Sequence, residues 1–477
     1  MAFRLCTPLH SRYTDIILEH MFAITKHFDR RIVSTNMKLH VNERRKYVAH
    51  EKCYLCIDLK SFYASVECTD RGWDPFTTKL VVADPERSQT TICLAVSPAL
   101  KALGVPGRCR VFEIPKGIDY FMAPPRMKRY MEVSTHIYSL YLRYVSPQDI
   151  HVYSIDECFI DATPYLSLYH MDAVTFAKTL TKTVFDDTGI CATVGVGTNL
   201  FLAKVALDIT AKHTRDGIGV LDETSFKQQL WFHRPITDIW NIGPGIARRL
   251  AKYGVYDLAG ICAMKEKTLY KEFGINAEYL IDHAWGQEPC TIKQIHSYTP
   301  EGHSLMNGQV LPGDYTLEEA RIVMHEMLDA SILELVQKGL VSESISLSIG
   351  YVQPKGVPVS PQPHHFYAHT GGTRKIGRRT NSAYVLKQHF ENLFNETTRD
   401  DLLIKRISIG FGNLLPEKYA TVTLFDDVEA EAKERRRQEA IIAVRKRFGK
   451  NSMLKGTSLQ EKATARERNN QIGGHRA

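Results

Sequence analysis

Cys56-Ile57-Asp58-Leu59-Lys60-Ser61-Phe62-Tyr63 decides the fold, because an apolar run ends on a carboxylate and passes at once into a helix-like segment. Cys53 to Leu59 reads as a buried strand and Ser61 to Cys68 as a helix, so Asp58 falls at the C-terminal end of a strand, beside a crevice. Far downstream, Tyr153-Ser154-Ile155-Asp156-Glu157-Cys158 sets two adjacent carboxylates between the short β runs Val152–Ile155 and Cys158–Asp161, the pattern of a tight hairpin turn. Taken separately, Asp58 can simply end a strand or cap a helix, and an acidic turn can simply face water. Taken together, three carboxylates from neighbouring strand ends can hold two hard divalent cations, Mg2+ here, as phosphoryl and nucleotidyl transfer requires. Like charges this close become favourable when cations offset them.

In such a site Asp58 and Asp156 would bridge both ions, and Glu157 would complete the ion that activates a 3′-hydroxyl. The Leu59 carbonyl would add an oxygen ligand. Backbone N–H groups of Lys60 to Tyr63 open a helix and would cradle phosphate oxygens. Tyr63 would lie under a sugar ring and exclude a 2′-hydroxyl, with Phe62 beside it. Alternatively, both rings are core residues of an amphipathic helix.

At 477 residues, 44% apolar and 24% charged, the chain has the composition of a globular protein with roughly two to four domains. No apolar run reaches the roughly 18 residues of a membrane helix, and the start, MAFRLCTPLH, lacks a signal-peptide layout. The ten cysteines therefore read as reduced thiols in a cytoplasm. Cys53 and Cys56 fall on opposite faces of one strand with no second ligand pair nearby, so they read as core. The net charge of +8 sits almost wholly in the tail, where the stretch from Glu429 onward holds 13 Lys/Arg against 6 Asp/Glu. Charge alone therefore does not establish nucleic-acid binding.

Residues 1–48 read as a weakly ordered leader, with Met37 an alternative start. Beyond it, strands (Leu80–Ala83, Thr91–Val96, Cys191–Gly197) alternate with helices (Pro98–Leu103, Met127–Tyr144, Phe176–Asp187, Leu200–Thr210), which predicts an α/β layer fold with helices on a mixed sheet. Short helices and glycine turns follow Trp231. A β-leaning region then carries strands at Ser344–Val352, His365–Thr370 and Ile404–Phe411 and helices at Leu317–Gln337 and Asn381–Asn395. A charged helix runs from Glu429 to Gly449.

The motifs CIDLKSFYASVEC and YSIDECFIDAT resemble those of the Y-family (translesion) DNA polymerases, in the UmuC-like branch of Gram-positive bacteria and their mobile elements. The resemblance spans Tyr54 to the C-terminus. It implies an α/β (α+β) right-hand polymerase with a ferredoxin-like palm (49–70 and 131–219), small fingers (71–130), a helical thumb with a helix-hairpin-helix (220–296) and a β-rich little finger (297–415). Residues 416–477 would hold a clamp-binding motif and a basic tail. It further implies low-fidelity copying of damaged primer–template from dNTPs, without proofreading, in an inducible DNA-damage response. Lys101, in Ala95-Val96-Ser97-Pro98-Ala99-Leu100-Lys101, matches a triphosphate-contacting cation of the fingers, although Pro98 stands where many relatives have Tyr. Lys212 matches the lysine behind the triphosphate, whereas Lys204 reads by default as a solvated helix residue.

Gly243-Pro244-Gly245-Ile246-Ala247-Arg248-Arg249 has the form of a helix-hairpin-helix, whose glycines would let the backbone turn and bring N–H groups to a DNA phosphate. An ordinary Gly-Pro helix turn is the alternative. Arg374, Lys375, Arg378 and Arg379 crowd a glycine-rich segment, Gly371–Asn381, that reads as a loop tracking phosphates or merely solvated. Thr421-Val422-Thr423-Leu424-Phe425 is similar to the Leu-Phe motif by which bacterial polymerases dock on the sliding clamp; a last β-strand competes with it. The following basic helix would contact DNA, a protein or only solvent. Two other functions fit parts of the pattern: a nucleotidyl cyclase on a related sheet, and a DNA- and clamp-binding protein without chemistry.

Overall fold

Tyr54–Leu59 forms β1, the middle strand of a five-stranded sheet. The structure, a computed structural model, describes residues 52–299, 303–353, 368–421 and 427–477, and the chain divides after Thr299 into two units. From β1 the backbone turns through Ser61, held in the left-handed region at φ 48°, into α1 (Phe62–Thr69). A small sheet follows, β2 (Leu80–Val82), β3 (Ala95–Val96) and β4 (Phe121–Ala123), in the order β3-β2-β4. The chain then returns through α2 (Met127–Tyr141) to the hairpin β5 (Ile150–Val152) and β6 (Glu157–Asp161). α3 (Ala173–Thr188), β7 (Ala192–Gly197), α4 (Leu200–Asp208) and β8 (Ile218–Leu221) complete the sheet in the order β5-β6-β1-β7-β8.

Strand alternation gives this sheet two different faces. Leu55, Ile57 and Leu59 pack into a core with Phe62 and Val66 of α1, Tyr130 and Ile137 of α2, and Phe176 and Leu180 of α3. Tyr54 and Cys56 point the other way, onto Leu200, Ala203 and Leu207 of α4, and Asp58 shares their parity. α4 comes close enough to touch backbone to backbone. A Cβ at Gly195 would stand 1.9 Å from the Ala203 carbonyl oxygen, and one at Gly197 2.2 Å from the Ala203 nitrogen. No flexible side chain is present to yield, so Gly195→Ala should cost roughly 3 kcal/mol or more; urea unfolding of this variant checks it, and a loss under about 1 kcal/mol would show that α4 sits less tightly.

The other side of α4 is shared with the short helices that follow. Phe201, Leu202 and Val205 join Phe226, Leu230, Ile239, Ile242, Leu250, Leu258 and Leu280 in one cluster.

The second unit is a four-stranded antiparallel sheet, β9 (His303–Tyr315), β10 (Leu340–Tyr351), β11 (His369–Thr380) and β12 (Ile404–Pro416), in the order β11-β10-β12-β9. α5 (Leu317–Gln337) and α6 (Ala383–Thr397) supply the other half of its core: Ile345, Leu347, Ile349, Ile407 and Phe411 meet Val323, Met327, Leu335, Phe390 and Phe394. α5 starts at a capping box in which Thr316 and Glu319 satisfy each other's backbone N–H groups. α7 (Val428–Phe448) is the predicted charged helix. Among the described residues, no helix is long and apolar enough to cross a membrane, and all nine cysteines are free thiols.

Three expectations need correction. Thr91–Val96 pairs as a strand only at Ala95–Val96, because Ile92 makes an isolated bridge to Arg110 instead. The first hairpin strand sits earlier than predicted, and the second begins one residue sooner, so that Glu157 is already the first residue of β6 rather than part of the turn. Gly371–Thr380 is not a loop but most of β11: Gly371, Thr373 and Lys375 pair with Ser348, Ser346 and Ser344. Gly371, at φ 122°, lets the strand lie against Leu347, whose carbonyl oxygen would be 2.1 Å from any Cβ there.

Candidate active site and DNA-contacting surface

β1 and β6 run antiparallel with Asp58 directly opposite Glu157, so the two acidic stretches, about a hundred residues apart in the chain, are neighbours in the sheet. The Leu59 N–H donates to the Asp156 carbonyl at 2.9 Å, which ties the turn to the end of β1. The turn is braced from within and from α2: Ser154 Oγ donates to Asp156 Oδ1 at 2.6 Å, and Ser134 Oγ donates to the Ile155 carbonyl at 2.6 Å. Burial, then Asp156 and Glu157, push the Asp58 carboxyl up to about 7. A bare anion is therefore disfavoured at this position, and a cation would relieve it.

Glu157 is held differently. Lys204 of α4 places Nζ 2.8 Å from Glu157 Oε1 and 2.9 Å from Asp208 Oδ1, and only 9% of its side chain is exposed. The Cys56 thiol donates to the same Glu157 oxygen at 3.1 Å. Burial works against the charge on Lys204, but Glu157, Cys56 and Asp208 outweigh it and hold its pKa above the usual lysine range. Burial raises the pKa of Glu157, with Lys204 opposing. The reading of Lys204 as a solvated residue is thus replaced by a buried ion pair with a candidate catalytic carboxylate. Cys56 is core, as expected, but touches the site.

Among the described residues, no three His, Cys, Asp or Glu side chains are already gathered into a metal cage. Glu157 pairs through Oε1 with Lys204. The donor set nonetheless suits hard cations: acidic oxygens at two adjacent strand ends, one of them destabilised by its neighbours.

Tyr63 is positioned by a relay from its own helix. Glu67 of α1, fully buried, accepts from Tyr130 Oη at 2.7 Å and pairs with Arg126 at 2.8 Å and with Arg71. The Tyr130 ring stacks on Tyr63 with centroids 4.6 Å apart. Burial and Asp156 push the Tyr63 phenol up to about 12 while Arg108 opposes. Phe62 is 2% exposed, inside the core, and backs Tyr63 at 5.8 Å. Glu67, Tyr130 and Arg108 are contributions that sequence patterning did not reveal; Glu67 lies within the quoted motif, and a carboxylate on the apolar side of a helix was the signal.

The helix start has no side-chain cap, so its first-turn N–H groups lack intrahelical partners. One expected phosphate donor is excluded: the Lys60 N–H donates to the Cys191 carbonyl at 2.9 Å. Lys101 lies within electrostatic reach of Lys212, Asp58 and Asp156. Burial lowers the Lys101 pKa, Asp58 and Asp156 oppose it, and Lys212 lowers it further. Pro98 sits at the first position of the helix Pro98–Ala102, where its missing N–H costs nothing, behind the N-cap Ser97.

In the helix-hairpin-helix segment, Gly243 caps the helix Pro244–Ala251, and Ile239, Ile242 and Leu250 are buried beneath it. The turn itself is made by Asn241, at φ 67°, and not by the glycines. Gly243 and Gly245 are exposed with open space in front of them, so what they provide is bare backbone. Arg248 is exposed; Arg249 is paired to Glu272 at 2.8 Å.

Of the four cations on β11, Arg374 pairs with Glu396, Arg378 with Glu431, and Arg379 with Glu343 at 3.7 Å. Lys375 lies opposite Ser344, on the face of the sheet away from the helices. Ser346, Ser348, Ser408, Gly410 and Gly412 share that face by alternation and register, a polar surface with little side-chain bulk. Leu424 and Phe425 lie outside the described residues.

The profile of the impB/mucB/samB family matches residues 57–208, and that of the family's C-terminal domain matches residues 303–424. A Bacillus subtilis protein named for UV-damage repair, UvrX, is 30% identical over 89% of this chain and 98% of its own length. DNA polymerase IV 2 of the same organism is 28% identical over 89% and 99%. A solved Y-family DNA polymerase chimera superimposes with a TM-score of 0.57 at 21% identity, covering 76% of this chain and 99% of its own.

Proposed function

The chain belongs to the impB/mucB/samB family, the Y-family DNA polymerases, and we propose that it is a DNA-directed, error-prone polymerase that extends primers across damaged template in an SOS-type response. The observation that carries this is the pairing of Asp58 with Glu157 on adjacent strands, with Asp156 bonded to the same strand end. Asp58, Asp156, Glu157 and the Leu59 carbonyl would hold two magnesium ions. When bound, such ions activate the primer 3′-hydroxyl and neutralise the triphosphate as pyrophosphate leaves.

The chain's own groups do the remaining work. Lys101 and Lys212 balance triphosphate charge, Lys101 within electrostatic reach of Asp58, and the N–H groups of Ser61, Phe62 and Tyr63, at the start of α1, would meet phosphate oxygens. Tyr63, fixed by Tyr130, carries the sugar and excludes a 2′-hydroxyl. Tyr63→Ala should therefore raise ribonucleotide incorporation; an unchanged rNTP/dNTP ratio would return Tyr63 to a packing role. Gly243, Gly245 and Arg248 hold template or primer phosphates by backbone and charge, as do Lys375 and the remaining β11 cations where their acids release them.

Leu424 and Phe425 would dock on the sliding clamp. Leu424→Ala with Phe425→Ala should abolish clamp stimulation and spare clamp-free synthesis; equal stimulation of variant and parent would reject the docking site. The free cysteines suit a reducing cytoplasm. The polymerase reading as a whole is tested by supplying dNTPs with primer–template, and NTPs alone in parallel: templated extension supports it, and a cyclic nucleotide product refutes it.

A further inference from the structure

α7 begins beyond residue 424, where the match to the family's C-terminal domain ends, and its rotation about its own axis is fixed by contacts on one side. Glu431 pairs with Arg378, Ser382 Oγ donates to Glu434 at 2.9 Å, and Arg435 donates to Glu417 at 2.6 Å. Gln438 is buried on that side. The chain that follows is tied to the same unit: the N–H groups of Thr464 and Ala465 donate to Glu326 Oε2 at 2.8 and 3.0 Å, and Lys455 pairs with Asp329 at 2.8 Å.

The opposite side is cationic. Lys433, Arg436, Arg437 and Arg447 are all exposed, and at about 100° per residue they share one stripe. Exposed Lys446 and Lys450 flank it. Among the described residues, Lys433, Arg436, Arg437, Lys446 and Lys450 have no carboxylate at ion-pair distance. The helix largely sorts its charges: Glu431 and Glu434 face the domain, Glu439 is exposed beside the stripe and pairs with Arg435 at 2.8 Å, and Glu429 accompanies the outward cations. From Lys433 to Arg447 the stripe is about 21 Å long at 1.5 Å per residue, enough to meet several phosphates of one DNA strand. Its middle positions are Ala440 and Val444, the valine half-buried, and the large apolar side chains exposed on this helix, Val428 and Phe448, stand at its ends. A protein partner would want an apolar or aromatic anchor at the centre; a polyanion would not.

We propose that the outward face of α7 grips the sugar–phosphate backbone of duplex DNA, adding sequence-independent affinity from outside the family's own C-terminal domain. The proposal rests on the polymerase reading for the presence of DNA, but not on its chemistry.

The test is equilibrium binding of a labelled primer–template duplex to the full chain, with EDTA and no nucleotide, across roughly 50–200 mM salt. The variant K433Q/R436Q/R437Q/R447Q should bind about tenfold or more weakly, with a salt slope shallower by about 0.9 for each phosphate it no longer neutralises. Its melting temperature should match the parent, because the changed side chains do not seat the helix. R436E/R437E, a smaller change in sequence, should weaken binding in the same direction. Equal affinity and equal slope in parent and variants overturn the proposal, as does unchanged DNA binding with loss of an acidic protein partner. Asp156→Asn, run beside them, should bind DNA like the parent, so a failure of catalysis and a failure of this grip are told apart.

Discussion

Asp156→Asn and Glu157→Gln should each lower primer extension about a thousandfold or more, equivalent to ~4 kcal/mol of transition-state stabilisation, while primer–template binding stays near that of the parent. The structure adds a second readout. Asp58 is pushed up to about 7 by burial and by these two neighbours, so removing the Asp156 charge relieves repulsion at the end of β1. The asparagine keeps an oxygen for Ser154 Oγ, which lies 2.6 Å from Asp156 Oδ1. Without metal, Asp156→Asn should therefore melt at or above the parent's temperature. Added Mg2+ should stabilise the parent and the variant to different extents, the parent more. A variant that is inactive because it is unfolded, or one that retains synthesis, would remove Asp156 from the site.

Lys204→Met should be the most destabilising change in the site. Lys204 is the cation common to Glu157 and Asp208, and Glu157 is as buried as Lys204 itself. Removing one partner of a buried pair strands the other charge, at about 3–5 kcal/mol. The double variant Lys204→Met/Glu157→Gln should recover much of that loss, because the stranded anion is gone. Denaturant unfolding of the single and double variants checks both statements. A loss below about 1 kcal/mol would mean that the lysine is solvated and that Glu157 does not depend on it.

Much of this arrangement was legible in the sequence, for physical reasons that differ between elements. β1 and the helix after it follow from an apolar run that ends on Asp58, and α5 spans Leu317–Gln337 as predicted because its period is long and regular. The carboxylates were legible as two separate clusters. Their meeting depends on the β1–β6 register, a long-range pairing that local patterning does not encode. Lys204 was misread because a lysine in a helix is usually solvated. A signal was present: the helix around it, Leu200-Phe201-Leu202-Ala203-Lys204-Val205-Ala206-Leu207, is apolar all round, which marks burial. Gly371–Thr380 was misread because glycines and cations resemble a loop, whereas here pairing with β10 and close backbone approach hold a strand. β9 escaped because His303-Ser304-Leu305-Met306-Asn307-Gly308 has little β-branched character, and its neighbour β12 supplies what it lacks.

The central claim is that Asp58, Asp156 and Glu157 form the site of a polymerase tolerant of damaged template. Primer extension across a single abasic site, with dNTPs and Mg2+, tests it most directly. The parent should add nucleotides opposite and beyond the lesion, and Asp156→Asn, at equal DNA occupancy, should add none. Synthesis by the parent that stops at every lesion would contradict the translesion assignment, and equal extension by both proteins would contradict the site.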